Sequence, residues 1–151
     1  MLKYCQIINE ETGLVSVGIG TDTDYYISIG MTERNVEKSD KDGNWYLADK
    51  CPHLTPKEKK EREKERVGNL TCTKRVFVLM LKELGLNYFT QLKPAIDANE
   101  QAALEWELCV ELQRKNPLID QVAAQFSITP TQIDNLFKYA NGEITEEEFL
   151  A

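Results

Sequence analysis

The segment 57–66, KEKKEREKER, is charged at every position. No face of such a run can enter an apolar core, because each ion taken out of water costs several kcal/mol unless it is paired and hydrogen-bonded. With 151 residues the chain has room for one medium domain or two small ones. Before the run the sequence is β-prone, and after it the sequence is helix-prone, which argues for a boundary near 54–70. Thr55-Pro56-Lys57-Glu58 forms a capping box with proline at the first helical position. Glu58 and Arg62 are spaced for a helical ion pair. The run is predicted as a solvated linker helix over 55–69. Its six basic residues alternate with four acidic ones, which speaks against an arm that binds nucleic acid.

Residues 1–54 read as a small β-rich module. Tyr4 to Ile8 and Leu14 to Ile19 are β-prone runs, and Asn9-Glu10-Glu11-Thr12-Gly13 between them has hairpin-turn chemistry. Val15, Val17 and Ile19 alternate with Ser16 and Gly18, so one face is apolar. Gly18 and Gly20 suggest a bulge or a close backbone approach. Tyr25, Tyr26 and Ile29 fit one side of a short helix capped by Thr23 or Asp24 and stopped at Gly30. Thr32 fits the cap of a further helical turn, or the segment leads straight to a strand around Val36; a turn is expected over 40–44 and a strand at Trp45-Tyr46-Leu47. Trp45 suits a core anchor in so small a module. Trp45 and Tyr46, followed by Tyr25 and Tyr26, are also the candidate partner contacts, because aromatics are enriched at interface hot spots.

Residues 70–151 read as a helical domain. Thr71 or Thr73 can cap a helix to Leu84 that buries Val76, Phe77, Met80, Leu81 and Leu84, with Gly85 as its stop. A helical turn is expected over 88–92, interrupted before Pro94. From Ile96 to Arg114, the repeats of Ala103, Trp106 and Val110 and of Leu104, Leu108 and Leu112 predict one long helix, the spine of this part. The stretch 116–139, NPLIDQVAAQFSITPTQIDNLFKY, carries the strongest local signals. Leu118, Val122 and Phe126 share a helical face, Thr129-Pro130-Thr131-Gln132 is a second capping box, and Ile133, Leu136 and Phe137 continue an apolar face. Two helices joined by so short a turn have helix-turn-helix form. Their second helix offers Thr131, Gln132, Asp134 and Asn135 with Lys138 as its one basic group, whereas a groove reader needs Lys or Arg against phosphates. Thr145 and Glu148 cap a last acidic turn carrying Phe149 and Leu150.

The formal charge of -7 and pI of about 4.8 disfavour nucleic acid and anionic membranes as partners. No apolar segment approaches a membrane span or a signal peptide, so the cytoplasm, or a particle assembled there, is the expected location. Cys5, Cys51, Cys72 and Cys109 show no CxxC spacing. Cys51, His53 and Cys72 could share a metal, but their spacing matches no standard zinc module, and none is expected. His53 is the one histidine, and no orienting or oxyanion motif accompanies it. Gly18-Ile19-Gly20 lacks the rest of a dinucleotide fingerprint. No catalytic residue and no cofactor site is identified, and the chain is expected not to be an enzyme.

Two pieces carry a family resemblance. The pattern MxKYxQIINEETG, with Val17-Gly18 and Gly20, Tyr25-Tyr26, Ser28-Ile29-Gly30-Met31-Thr32-Glu33, Val36-Glu37-Lys38-Ser39, Asp42-Gly43, Trp45-Tyr46-Leu47 and Pro52, is similar to small modules in proteins encoded beside tail-fibre and baseplate genes of tailed phages and prophages. Leu108 to Leu112, Asn116 to Asp120, Ile128 to Pro130 and Leu136-Phe137 resemble helical segments of the same kind of protein. The resemblance implies an accessory protein acting through protein contacts, as a tail-associated component or tail assembly factor, in the host cytoplasm or the virion. It transfers no functional residues. The acidic charge and missing active site also fit an anti-CRISPR-like inhibitor of a host defence system that mimics nucleic acid. A helix-turn-helix regulator is a third reading. A protein partner is expected, with self-association left open. The fold expectation is α+β: a β-rich module, a charged helical linker and a C-terminal helical bundle with a helix-turn-helix-like end.

Overall fold

The computed structural model describes residues 1–151. It is a mixed α+β chain with a small N-terminal β module and eight helices. It divides into two compact units, Met1–Lys60 and Glu61–Ala151.

The first unit is a closed four-stranded antiparallel barrel. Its strands are β1 (Leu2–Asn9), β2 (Leu14–Val17), β3 (Thr32–Lys38) and β4 (Trp45–Leu47), in the order β1-β2-β4-β3. The hairpin between β1 and β2 turns where expected. Gly13 takes a φ of 77° and donates its N–H to the Asn9 carbonyl at 2.9 Å, while the Asn9 side chain accepts from Thr12 N–H. Closure requires β1 to pair with both β2 and β3: Cys5 faces Val17 on one side and Thr32 on the other. Inward-pointing Cys5, Val15 and Val36 are buried, with Ile7, Val17, Trp45 and Leu47 packed on them. The crossover from β2 to β3 carries α1 (Thr23–Ser28), whose cap is Asp22, accepting from Tyr25 N–H, in place of the expected Thr23 or Asp24.

Helix α2 (Pro56–Gly68) contains the charged run. Its capping box forms as the sequence indicates, with Thr55 N–H donating to Glu58 Oε2 at 2.8 Å and Glu58 N–H to Thr55 Oγ1 at 3.2 Å. Val67 is its one buried residue.

The second unit contains a feature absent from the sequence expectation. Strands β5 (Thr71–Thr73) and β6 (Glu111–Gln113) pair antiparallel, Cys72 opposite Leu112. Helix α3 (Lys74–Glu83) follows β5 directly, capped by Thr73. The predicted spine from Ile96 to Arg114 is not one helix. It is α4 (Lys93–Asp97), α5 (Glu100–Leu108) and then β6. The break has local causes. The Asn99 side chain accepts from Ala102 N–H and starts a new helix, and Cys109 adopts an extended ψ of 147°. Val110, expected inside the helix face, is 84% exposed. Pro94 does not interrupt the preceding turn either. The π-helical turn Tyr88–Leu92 runs into α4, and Pro94 sits at the helix start, where its missing N–H costs nothing.

Helices α6 (Pro117–Ala124) and α7 (Pro130–Ala140) flank the turn 125–129. The Thr129–Gln132 capping box is present, and Ile133, Leu136 and Phe137 are wholly buried. Arg114, also buried, donates to Asp134 at 2.6 Å, to Asp120 and to the Pro130 carbonyl, tying the end of β6 to both helices. Helix α8 (Glu146–Leu150) repeats the capping box with Thr145 and Glu148 and stacks Phe149 on Tyr139.

Candidate functional site

Three places in the molecule bring functional side chains together. The first is an open-mouthed cavity of about 730 Å³ in the helical unit. Phe77 and Leu81 of α3, Ile96 of α4, Trp106 of α5, and Ile119 and Val122 of α6 form its apolar wall. These elements can enclose a space because the expected long spine is broken at Asn99 and Cys109 into two short helices, α4 and α5, and the strand β6. Gln101, Glu105, Glu111, Gln113, Lys115 and Asn116 supply the polar part of the lining. Glu105 is held by two donors, Gln101 Nε2 at 2.9 Å and the Asn116 side-chain amide, and these hydrogen bonds keep its carboxyl below the usual carboxylate range. The carboxylate at this position is therefore fixed and ionised at neutral pH.

The second is the surface carrying α1. Tyr26 packs its ring flat over Gly18, where a Cβ would stand 2.5 Å from the ring, so the close approach expected at that glycine is real. Its hydroxyl accepts from Gly20 N–H, and Tyr4 stacks at 6.2 Å. Tyr25 lies beside it at 5.9 Å and is more than half exposed, as is Ile27, and Ile29 and Ile19 are also exposed. The structure thus joins Tyr25 and Tyr26, one presented to solvent and the other mostly used in packing. Trp45 and Tyr46, adjacent in β4, are used differently. Trp45 leans on the barrel core with Lys3 Nζ 5.1 Å over its ring. Tyr46 donates its hydroxyl to Asp42 at 2.6 Å, which lowers the Asp42 pKa and raises that of Tyr46.

The third is a group of donors where the chain leaves the barrel. Cys51 and His53 flank Pro52, and the Glu37 carboxylate of β3 reaches them. One donor atom from each lies within 4.8 Å of the others. His53 Nε2 is 3.3 Å from Glu37 Oε1, and His53 Nδ1 is 3.5 Å from Asp40 Oδ1. Burial raises the Cys51 thiol pKa, helped by the negative charges of Glu37, Asp40 and Asp42. Cys72, which the sequence allowed as a co-ligand, is instead buried in the helical core opposite Leu112, and burial pushes its pKa up to about 12. Glu37 was not singled out from sequence, since nothing local links it to Cys51.

Comparison with protein-family models, with curated proteins and with solved structures finds no match to this chain. No helix is long and apolar enough to cross a membrane.

Proposed function

We propose that this chain is a phage- or prophage-derived protein-interaction protein, a tail-associated component or tail assembly factor, whose helical unit takes an apolar segment of a partner protein into its cavity. The cavity carries this reading. Protein interiors leave few voids larger than a water molecule, and unfilled apolar volume costs roughly 24 cal/mol per Å³ where it is closed. A space of about 730 Å³ walled by Phe77, Leu81, Trp106 and Ile119 favours an apolar occupant. Two carboxylates, the fixed Glu105 and Glu111, against the one cation Lys115 leave the lining net negative, which favours a basic group beside that apolar segment. An apolar centre with polar groups at its margin is the usual anatomy of a protein-binding surface.

The C-terminal part is read as a helical bundle with a helix-turn-helix-like end used for packing. Its second helix spends Ile133, Leu136 and Phe137 on the core and Asp134 on Arg114, and Lys138 stands 3.8 Å from Glu63. That leaves no free row of cations for phosphates, so the regulator reading loses ground.

The test is affinity capture of the tagged full chain from cells producing the phage, alongside mass spectrometry of purified particles. A tail-fibre or baseplate protein should co-purify with the wild type. It should be lost with Ala123→Leu, which puts a larger side chain into the cavity. Capture of a host defence nuclease would replace the tail reading with the inhibitor reading. Undiminished capture by a folded Ala123→Leu chain would remove the cavity from the interface.

A further inference from the structure

We infer that Glu37, Cys51 and His53 form a binding site for a single zinc-class divalent ion, oriented by Asp40. The donor set is the first argument. A thiolate, an imidazole and one carboxylate suit Zn²⁺ and its chemical neighbour Co²⁺, whereas Mg²⁺ and Ca²⁺ take oxygen ligands.

Geometry is the second. With bonds of about 2.0–2.2 Å, two N or O ligands on a tetrahedral zinc stand about 3.4 Å apart. His53 Nε2 and Glu37 Oε1 are 3.3 Å apart. The Cys51 sulfur lies within 4.8 Å of both donor atoms, and a side-chain shift of about 1 Å closes the set to zinc–sulfur bonding distance. Three protein ligands leave the fourth position to water.

The support behind the ligands is the third. A metal-bound histidine ordinarily donates its other ring N–H to a carboxylate, which fixes its tautomer. Asp40 Oδ1 stands 3.5 Å from His53 Nδ1, with Nε2 left toward Glu37. Asp40 is itself held, accepting Leu54 N–H at 2.8 Å, with Lys59 3.4 Å from its other oxygen. Buried Ser39 donates to the Pro52 carbonyl at 2.6 Å and pins the segment between the two ligands. Cys51 and His53 are therefore presented by a backbone anchored on both sides, and the ion would clip the barrel's exit segment to β3.

Titration of the reduced full-length chain with Co²⁺ tests this. A single Co²⁺ should bind per chain with a thiolate-to-cobalt charge-transfer band, and Zn²⁺ should displace it. Cys51→Ser should abolish the band and Cys109→Ser should keep it. His53→Gln, at an exposed side chain, should weaken binding at least tenfold. Asp40→Asn should weaken it by roughly 10–100-fold, the usual effect of losing such an outer-shell partner. Zn²⁺ should raise the melting temperature of the wild type by more than that of His53→Gln at the same concentration. Absence of the band in the wild type, or binding indifferent to His53→Gln, would overturn the site.

Discussion

The barrel and the helical unit hold themselves together by different means. In the barrel three apolar side chains are buried, Cys5, Val15 and Val36, against sixteen in the helical core. A unit of about 60 residues is near the lower limit at which one core suffices. The barrel compensates by closing its hydrogen-bond ladder, which leaves no strand edge, and by polar ties such as Ser39 to Pro52 and Tyr46 to Asp42. The helical unit relies on packing, and spends part of it on a cavity. One unit is therefore sensitive to loss of any single buried methyl, the other to loss of its central aromatic.

The sharpest way to break this comparison is Phe137→Ala. Phe137 is fully buried and lies 6.2 Å from Phe77, ring to ring. Its truncation should cost the helical unit about 3–5 kcal/mol. Each unit holds one tryptophan, Trp45 and Trp106, so Trp45→Phe and Trp106→Phe backgrounds report the two units separately in denaturant unfolding. The Trp106-reported midpoint should fall and the Trp45-reported one should not. Coincident shifts would mean that the units unfold as one, and the contrast drawn above would fail. Next in size is Val36→Ala in the barrel, which should cost about 2 kcal/mol from the lost methyls and the space they leave. The absolute loss is smaller, yet it should remove a larger share of that unit's stability, read as an eroded native baseline in the Trp45 signal.

These two units also differed in how much the sequence disclosed. Signals carried by neighbouring residues are readable: the Asn9–Gly13 hairpin, the capping boxes at Thr55, Thr129 and Thr145, and the short helix after Asp22. Pairings between distant residues are not. Cys72 meets Leu112 across some forty positions of chain, and three-residue strands are too short to show alternation. Leu104, Leu108 and Leu112 repeat every fourth residue, which is the helical period. In the structure Leu104 and Leu108 are exposed, and Leu112 is buried as part of β6. The period was present but reported no helix face. Barrel closure and the arrival of Glu37 beside Cys51 and His53 are of the same kind, set by strand register and by the anchored segment 51–54. The apolar residues around the cavity were legible as core, while the cavity itself depends on the spine being broken.

Smaller effects sharpen the picture of the helical unit alone. Thr129→Ala removes the side-chain half of the α7 capping box, the acceptor for Gln132 N–H at 3.2 Å. It should cost about 1 kcal/mol, seen in the Trp106-reported transition and absent from the other. Because the α7 core residues stay in place, the loss should be well below that of Phe137→Ala, which separates end effects from packing within one helix.

The smallest expected change is a gain. Ser127, in the turn between α6 and α7, is the one residue other than glycine with a positive φ, at 58°. A side chain in that left-handed region costs about 1–2 kcal/mol. Glycine removes that strain but brings back roughly 0.5–1 kcal/mol of chain entropy to be lost on folding. Ser127→Gly should therefore stabilise the helical unit by about 0.5 kcal/mol, while Ser127→Ala, which keeps the strained Cβ, should give no gain. The two variants differ by one methyl group on the surface, so packing cannot account for a difference between them. A gain seen by Trp106 with glycine and not with alanine would show that the turn belongs to the same cooperative unit as the core built on Phe137. Equal midpoints would mean that the turn opens independently, leaving α7 held by its packing and by Arg114 alone.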